Sequence, residues 1–458
     1  MARQPVSVLV DPLRKLLSRG ATGHAANMLR KLHAADVARL FSYLREDQRP
    51  TVFELMLRES PERAAHMIVE LDVPMAVGLL AGLPDAQVAA ILAELDSDDA
   101  AEIIPAMPEE QAERVLHIMH DAASEPIEGL LAYKEETAGR IMSPEVFAQP
   151  EHVTVAEAIA ALRHSRSEDL EMVFYLYVVD DRRHLVGVCS LRELLLARQD
   201  AKLAEVMNAN VIAVSTGTDQ EDVARLVARY DLLALPVVDD ENKLVGVITV
   251  DDVIDIIREE ETEDMLLMAG VGEGDQEGVL AASLGRSMWL RMPWLFAAWG
   301  GGMVASQIIG SYQVTLENAV VLAAFIPIVA GMGGNAGTQS ATIVVRGLAT
   351  GKIIAGGRLR VAVREVRVAL VMGLLFGALA GGLLSAAGHW EMGVIVGTAI
   401  AASMTLAAAV GTTMPIVLHR LGVDPAVATG PFVTTSIDVL GVLIYFTIAQ
   451  TVLAMAAG

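Results

Sequence analysis

The chain has 458 residues, too many for one ordinary domain, and it is 53% hydrophobic with a net charge of -23. These two extremes divide near Leu284: from Gly285 onward nine Lys and Arg stand against five Asp and Glu, which leaves +4 there and -27 before it. So acidic a first part excludes nucleic acid, whose phosphates it would repel, and the single cysteine, Cys189, excludes a disulfide framework and fits a reducing compartment.

The opening stretch MARQPVSVLVDPLRKLL has neither a long apolar core nor a small-residue cleavage site, so no signal peptide is expected. Residues 1–134 read as a helical N-terminal domain. Leu71-Asp72, Leu83-Pro84-Asp85, Leu95-Asp96 and Met107-Pro108-Glu109 recur at a spacing of 12 residues. Each unit reads as a short amphipathic helix ended by a turn, and stacked units make a superhelix that buries one side per repeat. The acids of turns such as LDSDDAAE suit helix caps, which favour Asp.

Residues 135–257 contain a tandem repeat. VFYLYVVDDRRHLVGVCSLRELL, Val173 to Leu195, matches LLALPVVDDENKLVGVITVDDVI, Leu232 to Ile254. Each copy reads strand, acidic turn, strand, helix, and each is preceded by a helix end, a short strand, a turn and an amphipathic helix. From about Arg140 to Ile257 the pair resembles tandem cystathionine-beta-synthase (CBS) domains, an α/β regulatory module. Some such modules bind adenosine nucleotides through a Gly, a Ser or Thr three residues on, and an Asp three beyond that. Gly246, Thr249 and Asp252 fit this pattern; Gly187 and Ser190 fit it, but Glu193 stands in place of the Asp. ATP and a purely structural pair both remain open as readings.

Residues 258–284 are assigned to an acidic connecting helix and linker. VDDVIDIIREEETEDMLLM, Val250 to Met268, puts eight carboxylates on one expected helix. Like charges three or four apart oppose a helix by a few tenths of a kcal/mol per pair. A charge run of this kind is usually a solvated face, but here it joins the soluble part to the apolar part. VGEGDQEGV, Val271 to Val279, is expected to be a flexible linker.

Residues 285–458 contain five apolar runs long enough to cross a bilayer, which takes about 20 residues: near Trp294–Tyr312, Ala319–Val345, Val368–Ala387, Gly393–Leu418 and Ala426–Met455. Basic residues stay on the cytoplasmic side. Arg286 and Arg291 precede the first run, six bases crowd the loop from Arg346 to Arg367, and Arg420 lies between the last two runs. The stretches 311–318 and 388–391 hold no Lys or Arg. This places the N-terminus in the cytoplasm and the C-terminus outside. The second run contains PIVAGMGGNAGTQSAT, Pro327 to Thr342, in which Gly331, Gly333, Gly334 and Gly337 accompany Asn335, Thr338 and Gln339. Two readings are open: close helix packing on small residues, or a broken helix lining a wet path.

The last run carries one acid, Asp438, and no Lys or Arg lies in the interior of any run. A charge at the bilayer centre costs at least about 2.5–3.5 kcal/mol, so it must face protein or water. A transported cation is the natural partner. Thr434 and Thr435, at i-4 and i-3, share its helix face, and Ser436 lies within the same turn.

A helical superhelix, a CBS pair, an acidic connecting helix and five spans, in that order, resemble the MgtE family of magnesium channels over essentially the whole chain. The resemblance rests most on GGNAGTQSAT in the second run and on GPFVTT ahead of Asp438. It implies that Asp438 forms the ion site of a pore on the axis of a homodimer, with Asn335, Gly334 and Thr434 beside it. It also implies cytosolic magnesium sensing by Asp219, Glu221 and Asp231 of the second CBS unit and by Asp252, Asp255, Glu260, Glu263 and Asp264 of the connecting helix. In the N-terminal domain, Asp96 and Asp99 are the matching choices. Gly430 departs from members that carry a polar residue there. The implied cargo is Mg²⁺, which is usually held by one or two carboxylates through retained waters; Mn²⁺ and Co²⁺ are the alternative, because hard cations share oxygen ligands. Gating follows if bridging ions favour a compact state, since only a ligand that prefers one state shifts the equilibrium. The implied location is a bacterial inner membrane. An intramembrane metalloprotease would need HExxH, and the only histidines after Leu284 are His389 and His419, so the chain is not expected to be an enzyme. A non-transporting sensor leaves Asp438 and the glycines unexplained.

Overall fold

The structure is a computed structural model that describes residues 7–164, 174–271, 284–318, 320–353, 356–428 and 430–457. It divides into two compact units, residues 1–257 and residues 258–458. The expected linker 271–279 lies outside the described residues apart from Val271.

The first unit opens with helices α1 (Ser7–Ser18), α2 (Thr22–Leu29), α3 (Ala34–Phe41) and α4 (Arg49–Glu59). The repeat follows as α5 (Pro61–Val69), α6 (Val73–Leu80), α7 (Asp85–Leu92), α8 (Ser97–Ile103) and α9 (Glu109–Ile118). Successive starts are 12 residues apart, as the spacing of Leu71, Leu83, Leu95 and Met107 requires; all four of these side chains lie at or against the core. Asp72 and Asp96 occupy N-cap positions without a side-chain cap bond, so the capping role expected for them is not made. Asp85 instead accepts from Arg114 at 2.7 Å. Helix α10 (Asp121–Leu131) and the short α11 (Ala138–Ile141) lead into the repeat that resembles the CBS pair.

That repeat forms two matching three-stranded sheets. One holds β1 (Ala148–Pro150), β2 (Tyr175–Val179) and β3 (Leu185–Ser190), with α12 (Val155–His164) after β1 and α13 (Leu191–Leu196) and α14 (Leu203–Val206) after β3. The other holds β4 (Val214–Ser215), β5 (Ala234–Val238) and β6 (Leu244–Thr249), with α15 (Gln220–Tyr230) and α16 (Val250–Met268). In each sheet the first strand pairs parallel to the second and the second antiparallel to the third. Even the irregularities repeat: the register shifts at Val178/Val179 and at Val237/Val238. The turns at Arg183 and Asn242 both take positive φ, and they exchange backbone bonds, Leu185 N to Asn242 O and Leu244 N to Arg183 O. Two copies of one sequence pattern thus meet about a local two-fold. Their apolar strand faces join around Tyr177, Val179, Leu185, Ala234, Val238 and Leu244. Cys189 is buried and free.

The second unit is built from long helices: α17 (Leu284–Ser311), the short α18 (Gln313–Asn318), α19 (Val321–Ala349), α20 (Arg358–Ala386), α21 (Trp390–Arg420) and α22 (Pro431–Ala457). Of these, α19, α20, α21 and α22 are long and apolar enough to cross a membrane. Helix α17 reaches 28 residues but is not apolar enough to count with them, because Pro293, two Trp, three consecutive Gly, Ser306 and Gln307 dilute the run even past Arg291. The stretch 311–318, expected as a loop, contains α18.

Glycine sets the helix spacing here. On α20 the buried positions Glu365, Ala369, Gly373, Gly377 and Gly381 recur every fourth residue. A Cβ at Gly373 would come within 2.9 Å of the Ala401 backbone, and one at Gly381 within 2.6 Å of Gly393 O. Helices α20 and α21 therefore touch backbone to backbone, as small residues allow in membranes. Helix α19 is continuous from Val321 to Ala349, so the broken-helix reading of PIVAGMGGNAGTQSAT is corrected. Its glycines make close approaches instead: Gly333 lies under Ser403 and Ile437, and Gly337 under Ile437 and the Ala407 carbonyl.

Candidate ion path and acidic cluster

In the second unit, the Ile437 side chain is buried and fills the space left by Gly333 and Gly337. One residue on, Asp438 is exposed. No basic side chain pairs with it among the described residues. Helix α22 is held on its other sides by Thr435 against Gly301 of α17, by Trp294 edge-on to Phe432 at 5.7 Å, and by Tyr445, whose hydroxyl donates to Leu322 O at 2.8 Å. These contacts fix the rotation of the helix and hence the direction of Asp438. Thr434 donates its hydroxyl to Gly430 O at 3.3 Å, so its lone pairs point outward from that bond.

On α19, Asn335 is exposed, and nothing stands within 4 Å of a Cβ built at Gly331 or Gly334. Gly331, Asn335, Thr338, Thr342 and Arg346 follow at helical spacing on one side, away from the Gly333–Gly337 face. A polar face of this kind in a membrane helix is tolerated only against protein or a water-filled cavity. Thr342 was not among the candidates read from sequence; its spacing from Asn335 was the available signal. At the end of this face Arg346 pairs with Glu261 of α16 at 2.8 Å. Leu267 of α16 is buried with Val345 and Ala426. Gly430 has a packing reason: a Cβ there would stand 3.4 Å from Leu267 O.

In the first unit, the start of α8 and the start of α16 bring carboxylates together. Burial, and then Asp98, Asp96, Asp252 and Glu102, push the Asp99 carboxyl up to about 8. Burial pushes Asp252 up to about 6, against the Thr249 hydroxyl bond that lowers it and with Asp251 and Asp255 raising it further. Asp96 is also raised, by partial desolvation first and then by Glu145. Glu145 is held by the hydroxyls of Ser97 at 2.5 Å and Ser143 at 3.0 Å. Asp251, from the acidic run of α16, acts on both Asp96 and Asp252; Glu145 is the member that sequence reading missed, because only the tertiary fold brings it here. This donor set is all oxygen, which suits a hard divalent cation such as Mg²⁺. Among the described residues, no three His, Cys, Asp or Glu side chains lie in metal-ligand geometry.

The remaining candidates are spread out. Asp219 caps α15, accepting from Glu221 N at 2.9 Å, and Glu221 pairs with Arg225. Asp231 sits at the other end in a left-handed conformation, φ 52°. The helix between them rises about 18 Å, so Asp219 and Asp231 of one chain do not share an ion. Asp255 lies one turn beyond Asp252, while Glu260, Glu263 and Asp264 fall in the part of α16 that belongs to the second unit.

The nucleotide pattern has a local structural role. Thr249 donates its hydroxyl to Asp252 at 2.6 Å and its backbone N–H to the same carboxylate at 3.3 Å, which closes the first turn of α16. Ser190 and Glu193 form a complete capping box at the matching place. Glu193 therefore does as a cap what Asp252 does. Gly246 and Gly187 let the strand pass Met142 and Met207, respectively.

Comparison with known proteins assigns these parts. A family described as "Divalent cation transporter" matches residues 326–448, "MgtE intracellular N domain" matches 32–136, and "CBS domain" matches 138–200 and 203–259. The magnesium transporter MgtE of Thermus thermophilus is 40% identical over 342 residues, 74% of this chain and 75% of that protein. The magnesium transporter MgtE of Bacillus subtilis is 38% identical over 341 residues, 73% of each chain. The cytosolic domain of the Mg²⁺ channel MgtE, solved in complex with ATP, is similar at 37% identity and a TM-score of 0.51, covering 54% of this chain and 99% of that one. The soluble part of a magnesium transporter is similar at 31% identity and a TM-score of 0.50, covering 56% and 99%. The chain belongs to the MgtE family.

Proposed function

We propose that this protein is a magnesium channel that admits Mg²⁺ across the bacterial inner membrane and is closed by cytosolic Mg²⁺. The observation that carries the reading is Asp438, an exposed carboxylate on an apolar helix with a polar face on neighbouring α19. In one chain this acid and Asn335 lack a cover. A second copy related by a two-fold axis would bring two Asp438 side chains together, enough charge for a hydrated divalent ion without a dry cage. Asn335, Gly334 and Thr434 line the same path. The relatives named as magnesium transporters support Mg²⁺ as cargo.

The working division is a helical domain over residues 1–134, a CBS pair over 135–257, a connecting segment over 258–284 and a membrane domain over 285–458. The basic residues of the Arg346–Arg367 stretch put residues 1–257 and that stretch in the cytoplasm. Regulation lies with Asp96, Asp99, Asp252 and Asp255, with Glu260, Glu263 and Asp264 further along α16, and with Asp219, Glu221 and Asp231. Their mutual repulsion is relieved when Mg²⁺ binds, and a compact, closed state gains. ATP binds the CBS pair at Gly246, Thr249 and Asp252; the similar cytosolic domain solved with ATP supports this.

The test is uptake by the purified protein in liposomes with Mg²⁺, Mn²⁺ and Co²⁺ in competition. Uptake of Mg²⁺ that excess Mn²⁺ or Co²⁺ does not suppress supports a magnesium channel. Uptake dominated by either competitor transfers the cargo to that ion.

A further inference from the structure

We propose that the first three turns of α20 form a docking surface for the phosphate headgroups of anionic phospholipid. Arg360, Arg364 and Arg367 are all exposed and follow at i, i+4 and i+7, so they share one side of the helix. That side lies away from the buried stripe of Glu365, Ala369, Gly373, Gly377 and Gly381 that packs the helix into its unit. The one carboxylate in this stretch, Glu365, points inward and accepts from Ser340 at 3.4 Å. Of the bases at this end, Arg346 is neutralised by Glu261, whereas no ion pair reaches Arg360, Arg364 or Arg367 among the described residues. Arg358, at the head of the same helix, has a buried Nε with no hydrogen-bond partner.

The arginine face runs directly into an apolar one. Val371, Leu375, Leu379 and Leu383 are 67%, 66%, 60% and 66% exposed and continue along the outer side of α20. From Val368 to the end of the helix is about 28 Å, close to the hydrocarbon thickness of a bilayer. The headgroup layer at one side is about 5–8 Å deep, so Arg367 and Arg364, about 1.5 and 6 Å before Val368, lie within it, and Arg360, about 12 Å before Val368, stands at its outer edge within reach of its long side chain. One surface thus offers guanidinium groups at headgroup depth and aliphatic side chains at acyl depth. A phospholipid with a net negative headgroup matches both parts; a soluble phosphate matches only the first. Arginine suits the task because its planar fork holds phosphate oxygens in pairs. The proposal rests on the reading of the second unit as a membrane domain.

The test uses the full chain purified in detergent and acyl-labelled phosphatidylglycerol, with binding followed by anisotropy. Wild type is expected to prefer it over labelled phosphatidylcholine by about tenfold or more, since each basic residue near a headgroup contributes appreciably. Arg360→Gln/Arg364→Gln/Arg367→Gln is expected to lose that preference and retain phosphatidylcholine binding. Retained preference in the triple variant, or none in wild type, overturns the proposal. Displacement of the labelled lipid by inorganic phosphate at equal concentration also overturns it, in favour of a soluble anion. If the triple variant does not fold, salt titration of wild type decides: preference that does not weaken as salt screens the charges contradicts the proposal. Phosphatidylcholine binding separates this outcome from failure of the membrane reading, which would abolish binding of both lipids.

Discussion

The Ile437 side chain of α22 occupies the notch that Gly337 leaves in α19. This contact turns the next residue, Asp438, to the exposed side. Gly337→Val should therefore drive Ile437 out of its seat and rotate or shift the acid. Overpacking of this kind costs about 1–3 kcal/mol, so the variant should melt lower in detergent and lose most of its Mg²⁺ uptake. Gly337→Val/Ile437→Ala should recover uptake in part, because the second change restores room for the valine. Equal uptake by wild type and Gly337→Val would mean that Ile437 does not set the acid's position.

The acidic cluster gives the first unit a pH dependence of definite sign. Asp99 ionises at about 8 and Asp252 at about 6 in the fold, against a normal value of 3.8. Between those limits the folded state holds more protons than the unfolded one, so stability falls as pH rises from about 4 to about 8. Thermal melting in chelator should show a drop of several degrees over that range. Millimolar Mg²⁺ should flatten it, because a bound cation replaces the protons.

Asp99→Asn separates repulsion from metal binding. Removing one buried charge should raise the melting temperature in chelator at pH 8. The same change should reduce the protection that Mg²⁺ gives against protease. A variant less stable than wild type in chelator would show that the Asp99 charge is compensated by a partner.

The two CBS units allow a cap to be told from a nucleotide contact. Ser190→Ala and Thr249→Ala should each cost about 1 kcal/mol as lost caps, read by denaturant unfolding. Only Thr249→Ala should also weaken ATP binding in calorimetry. Equal loss of ATP affinity in both variants would place the nucleotide on both units.

Much of the architecture was legible because it is periodic. The 12-residue recurrence from Leu71 to Met107 fixed the helix starts, and the duplicated VVDD and LVGV segments fixed two like sheets. The acid Asp438 was legible because a lone carboxylate in an apolar run has few explanations. The glycines of α19 were not: a glycine that breaks a helix and one that admits a neighbour look the same until the neighbour, here Ile437 or Ser403, is known. The acidic cluster was only half legible. Asp96, Asp99 and Asp252 could be named from the resemblance, but Glu145 and its two serine hydroxyls reach the site through the fold alone.

The central claim is that Asp438 is the ion site. Mg²⁺ uptake into liposomes by wild type, Asp438→Ala and Asp438→Asn, with Mg²⁺ varied on the side of the first unit, tests it most directly. Wild type is expected to take up Mg²⁺ and to be suppressed by Mg²⁺ on that side, and both variants are expected to lose uptake while folding and melting are retained. Unchanged uptake in folded Asp438→Asn would contradict it, make Asp438 a structural acid, and move the ion path to Asn335 and the polar face of α19.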